Sequence, residues 1–344
     1  MRTAFSRFNP QANSLLLALL FMASPVGASG PAIGSALADP GLQQPADGSE
    51  QPGTGGSDGD SQASERIDYW LDKLSAAVDG LDYRGLVTFE HMGTLETLQV
   101  VHAVRAGEQV ERVRYLSGQP RELISRGHPG NCGDRMGPLA RVSLWGSAAR
   151  DGAQNAYHFL LRGEERVADR DTVVIEARPR DHHRLGMLVN LDRETGLPLK
   201  SILFGADGKI LERYQFVQLD LGPIDDTDLK PQSPGARQID QSGGCESAQS
   251  RWQVRWLPDG YKLVAVRTLA DGDMLAFSDG LSVFTVFVQR LGPELNFKGR
   301  AIRGATVAYM DQMEVDGVNY TVTVVGEIPG ATAQLVARAV GTQP

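Results

Sequence analysis

The chain has 344 residues, 39 glycines and a formal charge of −8. That length suits two domains of ordinary size, and the glycine content favours turns and strands over long helices. An acidic chain lacks the dense positive surface that general nucleic-acid binding needs, which argues against nucleic acid as a partner.

Arg2 and Arg7 precede a short apolar run at 15–23, and Val26-Gly27-Ala28 offers small residues for cleavage. This is the pattern of a secretory signal peptide over residues 1–28, too short for a comfortable membrane span. Residues 29–62 are rich in Gly, Pro, Ser, Asp and Gln and read as a disordered tether. Order is expected from about Ser64, where Ile67, Trp70, Leu71, Leu74, Val78 and Leu81 recur at helical spacing. Such an apolar stripe needs a sheet to cover.

Strand-like runs follow at 83–92, 96–105, 109–116 and 122–125. Residues 128–138 form a loop that contains Cys132, and 139–154 read as a short helix plus loop that could act as a flap. Further strands are expected at 157–161 and 172–177. The best-specified stretch is 178–217. Its runs 185–191, 197–204 and 209–217 are separated by Asp192-Arg193-Glu194-Thr195-Gly196 and Gly205-Ala206-Asp207-Gly208, where glycine supplies the positive φ of tight turns. This is an antiparallel meander. Residues 63–219 are therefore expected to form an α+β domain, mostly antiparallel β, as a curved half-barrel sheet around a helix.

Residues 220–249 read as a linker, with Pro223, Pro231, Pro234 and Gly243-Gly244. A smaller α+β domain is expected over 250–344. Trp252, Val254 and Trp256 share one strand face, and Asp279-Gly280 joins the strands 274–278 and 281–289. Strands follow at 305–313 and 318–327, then a short helix at 331–340.

The sequence carries no nucleophile elbow, P-loop or dinucleotide fingerprint, and no Cys/His spacing for zinc. No enzyme activity, cofactor or metal is expected. Cys132 and Cys245 are the only cysteines. They are either two separate thiols or a disulfide, which would close a loop of about 110 residues and contribute about 4–5 kcal/mol on a chain-entropy model. Arg178, Arg180, His182, His183 and Arg184 form a local basic cluster. It is either a solvated strand end or a docking point for phosphate or carboxylate. Leu86, Phe89, Tyr157 and Phe159 are core, or they line an apolar cavity fit for acyl chains.

Several runs together resemble the RseB/MucB family of periplasmic regulators of the envelope-stress sigma factor. They are RPRDHHRLGMLVNLDRETGLPLKS, GKILERYQFVQL, WLPDGYKL, DGLSVFTVFV and TVTVVGEIPGATAQLVA, with YRGLVTFEH after the opening helix. The resemblance spans roughly 64–340; the long tether departs from it. It implies a LolA/LolB-like N-terminal domain and a smaller C-terminal domain. It also implies a periplasmic location, and binding to the periplasmic segment of an anti-sigma factor that shields the segment from site-1 proteolysis. Release by lipopolysaccharide or another envelope lipid is implied as well. A homo-oligomer is left open. The alternative is a periplasmic lipid or lipoprotein carrier with no anti-sigma partner.

Overall fold

A computed structural model describes residues 56–127, 150–240, 249–291 and 298–343. The expected signal peptide, the expected tether up to residue 55, both cysteines and most of the expected flap lie outside the described residues.

Helix α1 spans Gly56–Gly80. It starts ahead of Ser64, within the segment read as tether. Once an apolar stripe has nucleated a helix, adding a polar residue at its end fixes little more chain. Leu71, Leu74, Ala77 and Val78 are buried against the first sheet, with Ile67 and Trp70 partly buried beside them.

That sheet has ten strands: β1 (Tyr83–His91), β2 (Thr94–Arg105), β3 (Glu108–Tyr115), β4 (Arg121–Arg126), β5 (Tyr157–Val167), β6 (Arg170–Pro179), β7 (Gly186–Asp192), β8 (Pro198–Phe204), β9 (Ile210–Leu221) and β10 (Arg237–Asp240). The spatial order is β10-β4-β3-β2-β1-β9-β8-β7-β6-β5, so the meander β5–β9 returns to pair with β1. Helix α2 (Arg150–Ala156) leads into β5. The sheet is open. Register places Val87, Phe216, Tyr214, Val189, Ile175 and Ala177 on the helix-covered inner face. Gly85 sits beside the β1–β9 irregularity. A Cβ there would lie 2.5 Å from the Gln218 carbonyl and 2.6 Å from the Phe216 ring, so this position requires glycine.

The expected linker is largely fastened down. Ile224 and Leu229 bury against Val101, Ala103 and Val110 on the outer face. Arg105 ties Asp82, Asp226 and the Ile224 carbonyl together. Glu122, whose side chain is fully buried, accepts backbone N–H bonds from Gln232 (3.0 Å) and Ser233 (2.7 Å). The strap ends in β10, which pairs with β4 in parallel. Its prolines are compatible with this because Pro223, Pro231 and Pro234 all precede the strand.

The second sheet has six strands: β12 (Lys262–Leu269), β13 (Gly272–Ser278), β14 (Val283–Arg290), β15 (Gly299–Arg303), β16 (Thr306–Val315) and β17 (Val318–Gly326). They are ordered β12-β13-β14-β17-β16-β15. Helix α3 (Gly330–Arg338) covers one face through Thr332, Ala333, Val336 and Ala337. The short strands β11 (Trp252–Val254) and β18 (Val340–Thr342) pair with each other. Phe284, Val286, Val288, Val322 and Val324 form the core. The protein is thus α+β and mostly antiparallel, as expected.

Candidate functional site

The turns of the second sheet reach into the core of the first. Leu281 and Ala305 are buried in the same apolar cluster as Leu71, Tyr157, Ile175 and Met187. Leu281 stands in the β13–β14 connection and Ala305 in the β15–β16 turn. The Ala305 N–H donates to Glu212 Oε1 of β9 at 2.9 Å. At Gly304, with φ +58°, a Cβ would collide with that carboxylate.

An ion pair crosses the same seam. Residues 180–185 leave β6 through a series of bends, and Asp181 Oδ1 accepts the His183 N–H at 2.9 Å. This turns Arg184 inward. Its guanidinium donates from Nε to Asp279 Oδ2 at 2.7 Å, with both side chains at 0% exposure. It also donates to Asp181 and to the Asp259 carbonyl. Its carbon lies 4.9 Å from the Tyr261 ring centre and 5.9 Å from that of Tyr157. Asp279 Oδ1 accepts the N–H groups of Leu281 (3.0 Å) and Ser282 (2.8 Å), and the Tyr157 hydroxyl donates to Oδ2 at 3.3 Å. Burial lowers the tendency of Arg184 to stay charged, and the Asp279 carboxylate outweighs it, so its pKa lies above the ordinary value. Burial, with the Asp279 charge behind it, holds the Tyr157 and Tyr261 phenols well above the usual range. Nearby, His183 meets Thr332 of α3 at 3.1 Å and packs edge-on to Trp256.

The basic cluster therefore divides. Arg178, Arg180 and His182 are exposed, while Arg184 is buried and fully engaged by the chain itself. The expectation of Arg184 as a docking cation is corrected on that ground. Arg178 pairs with Glu176 at 3.0 Å, Arg180 bonds the Tyr157 carbonyl (3.3 Å) and His158 (3.1 Å), and the His182 ring lies tilted against that of His183 with centres 4.1 Å apart. The apolar set divides as well. Phe89, Tyr157 and Phe159 share the inner face, Tyr157 buried and the other two partly so. Leu86 lies an odd number of residues from Phe89 on an uninterrupted strand, so it faces the other way. That part of the expected cavity lining is corrected.

Asp279 was legible only as a turn former, since Asp-Gly between two apolar runs carries no sign of a distant arginine. The inner face holds two further polar groups. The Tyr214 hydroxyl is buried without a hydrogen-bond partner among the described residues. Burial pushes the Glu111 carboxyl up to about 7. Among the described residues there is no group of three or more His, Cys, Asp or Glu able to hold a metal, and no helix is long and apolar enough to cross a membrane.

Fold and site define an α+β protein whose ten-stranded sheet is covered by a helix on one face and joined to a six-stranded sheet by a buried ion pair and a shared apolar cluster. The MucB/RseB N-terminal domain model matches residues 66–233 and the C-terminal domain model matches 246–341. The sigma factor AlgU regulatory protein MucB of Pseudomonas aeruginosa is 33% identical over 81% of this chain and 92% of its own length. The sigma-E factor regulatory protein RseB of Haemophilus influenzae is 27% identical over 78% and 89%. A crystal structure of MucB in complex with MucA(peri) overlays with a TM-score of 0.65 at 32% identity, covering 82% of this chain and 99% of that one. The chain belongs to the MucB/RseB family of sigma-factor regulatory proteins.

Proposed function

We propose that this protein is a periplasmic, non-enzymatic negative regulator of sigma-factor activation. It binds the periplasmic segment of an anti-sigma factor and shields it from the first proteolytic cut. Envelope lipid or lipopolysaccharide releases it. The observation that carries this reading is the crystallised complex of MucB with MucA(peri), formed by a relative that overlays along nearly its whole length. In this reading residues 1–28 are removed on export, 63–219 form the lipid-responsive domain, and 220–249 and 250–344 supply a strap and the partner-binding domain.

Release is a matter of linkage. A ligand that favours the partner-free form lowers partner affinity by its differential binding, and the partner must weaken the ligand by the same factor. The inner face around Phe89, Phe159 and Tyr214 is the apolar surface that an acyl chain would enter, with the Tyr214 hydroxyl and Glu111 carboxyl as polar groups there. The test is a pull-down of the mature protein with the periplasmic segment of its anti-sigma factor, with and without lipopolysaccharide. Capture that lipopolysaccharide abolishes is the expected result. Lipid binding with no capture under any condition would favour the carrier reading instead.

A further inference from the structure

Strand β15 is an edge of the six-stranded sheet, and every residue from Arg300 to Arg303 is exposed. Its pairing with β16 is regular, from Gly299↔Met310 to Arg303↔Thr306. In an antiparallel ladder alternate residues turn their N–H and C=O away from the neighbour, so β15 offers a row of backbone donors and acceptors. Lys298, Arg300 and Arg303 bring three cations to six residues with no acid, in a chain of net charge −8. Lys298 is paired with Asp311 at 3.2 Å. Arg300 and Arg303 have no ion pair or hydrogen bond among the described residues. The pairing Arg300↔Tyr309 and Ile302↔Val307 puts Arg300 and the half-exposed Ile302 on the face that carries α3, and Arg303 falls on the opposite face. A strand laid along β15 would thus meet cations on both of its sides.

We propose that β15 is a strand-addition site for an acidic, extended segment of the anti-sigma partner. Main-chain hydrogen bonds would supply the attachment, Ile302 an apolar contact, and Arg300 and Arg303 the preference for carboxylates. This rests on the regulator reading above. Cations on an edge can also serve only to prevent self-pairing, and the experiment separates the two roles.

Binding of the purified periplasmic segment of the anti-sigma factor to the full mature chain is measured by calorimetry at two salt concentrations. The expected result is a rise in Kd of about tenfold or more for Arg300→Glu/Arg303→Glu, with a shallower salt dependence. Arg300→Gln/Arg303→Gln should show a smaller loss in the same direction, and serves if the reversal misfolds by circular dichroism. Lys262→Glu, on the opposite edge strand β12, should bind as the wild type does. Wild-type affinity in both arginine double variants overturns the edge-strand site and leaves the regulator reading standing. No binding by the wild-type chain overturns both.

Discussion

At the scale of single residues, Arg184 and Asp279 form an ion pair with both side chains fully buried. Removing one member of a buried pair leaves the other charged and desolvated, which costs about 3–5 kcal/mol, whereas replacing both with apolar groups is often neutral. Asp279→Ala or Arg184→Met should therefore lower the urea midpoint sharply. The double change Arg184→Met/Asp279→Leu should recover most of the loss, read in the same denaturation series. The recovery will be incomplete, because Asp279 also accepts the N–H groups of Leu281 and Ser282. Glu111 makes the second prediction. Burial raises its carboxyl to about 7, so the folded state holds a proton that the unfolded chain gives up at lower pH. Stability from this group is present at acid pH and declines as pH rises from the ordinary carboxyl value through about 7. Glu111→Gln removes that decline. The variant should be more stable than wild type by about 1–2 kcal/mol at pH 8 and no more stable at pH 4, measured by thermal or urea unfolding at both.

At the scale of elements, the strap from Ile224 to β10 depends on one carboxylate. Burial opposes the charge of Glu122, but the N–H groups of Gln232 and Ser233 and the Arg112 guanidinium outweigh it, so its pKa is lowered. Its contribution is present above the ordinary carboxyl value and lost as pH falls through the lowered one. Glu122→Gln should loosen the strap without unfolding the sheet. Amide exchange should accelerate in 230–240, while the β1–β2 and β7–β8 amides stay protected; unchanged exchange in the strap would contradict this role. This is also where the sequence was least informative. The meander β7–β9 was readable because its turns carry Asp and Gly at fixed places and its strands alternate. Helix α1 was readable from Ile67 through Leu81. The strap was not, because its order comes from contacts with residues more than a hundred positions away, and its local composition is that of a linker. The same holds at the seam. Arg184 looks like one of a run of basic residues, and nothing local distinguishes the arginine that turns inward from the two that stay in water. Leu86 was misplaced for a simpler reason, as the parity of a strand decides which side chains can meet.

At the scale of the whole molecule, the two sheets share one apolar cluster. Leu281, Val283 and Ala305 belong to the core around Tyr157, Ile175 and Met187 as much as to the second sheet. In the proposed regulator, packed side chains would link a ligand on the inner face of the first sheet to the second. Such transmission requires two discrete arrangements of the seam, and Arg184 with Asp279 is the contact that would distinguish them.

The reach of Leu281 and Ala305 into the first sheet's core also bears on how the chain can be handled in the laboratory. Cutting it after the strap would produce two pieces with matching defects: one with an unfilled apolar socket beside Tyr157, the other with greasy pegs in water. Expressed apart, each piece should be prone to self-association, and mixing them should raise the solubility of both. Light scattering of the fragments 63–249 and 250–344, alone and combined, would measure this directly. Two well-behaved monomers that ignore each other would mean that the seam contributes little to holding the halves together.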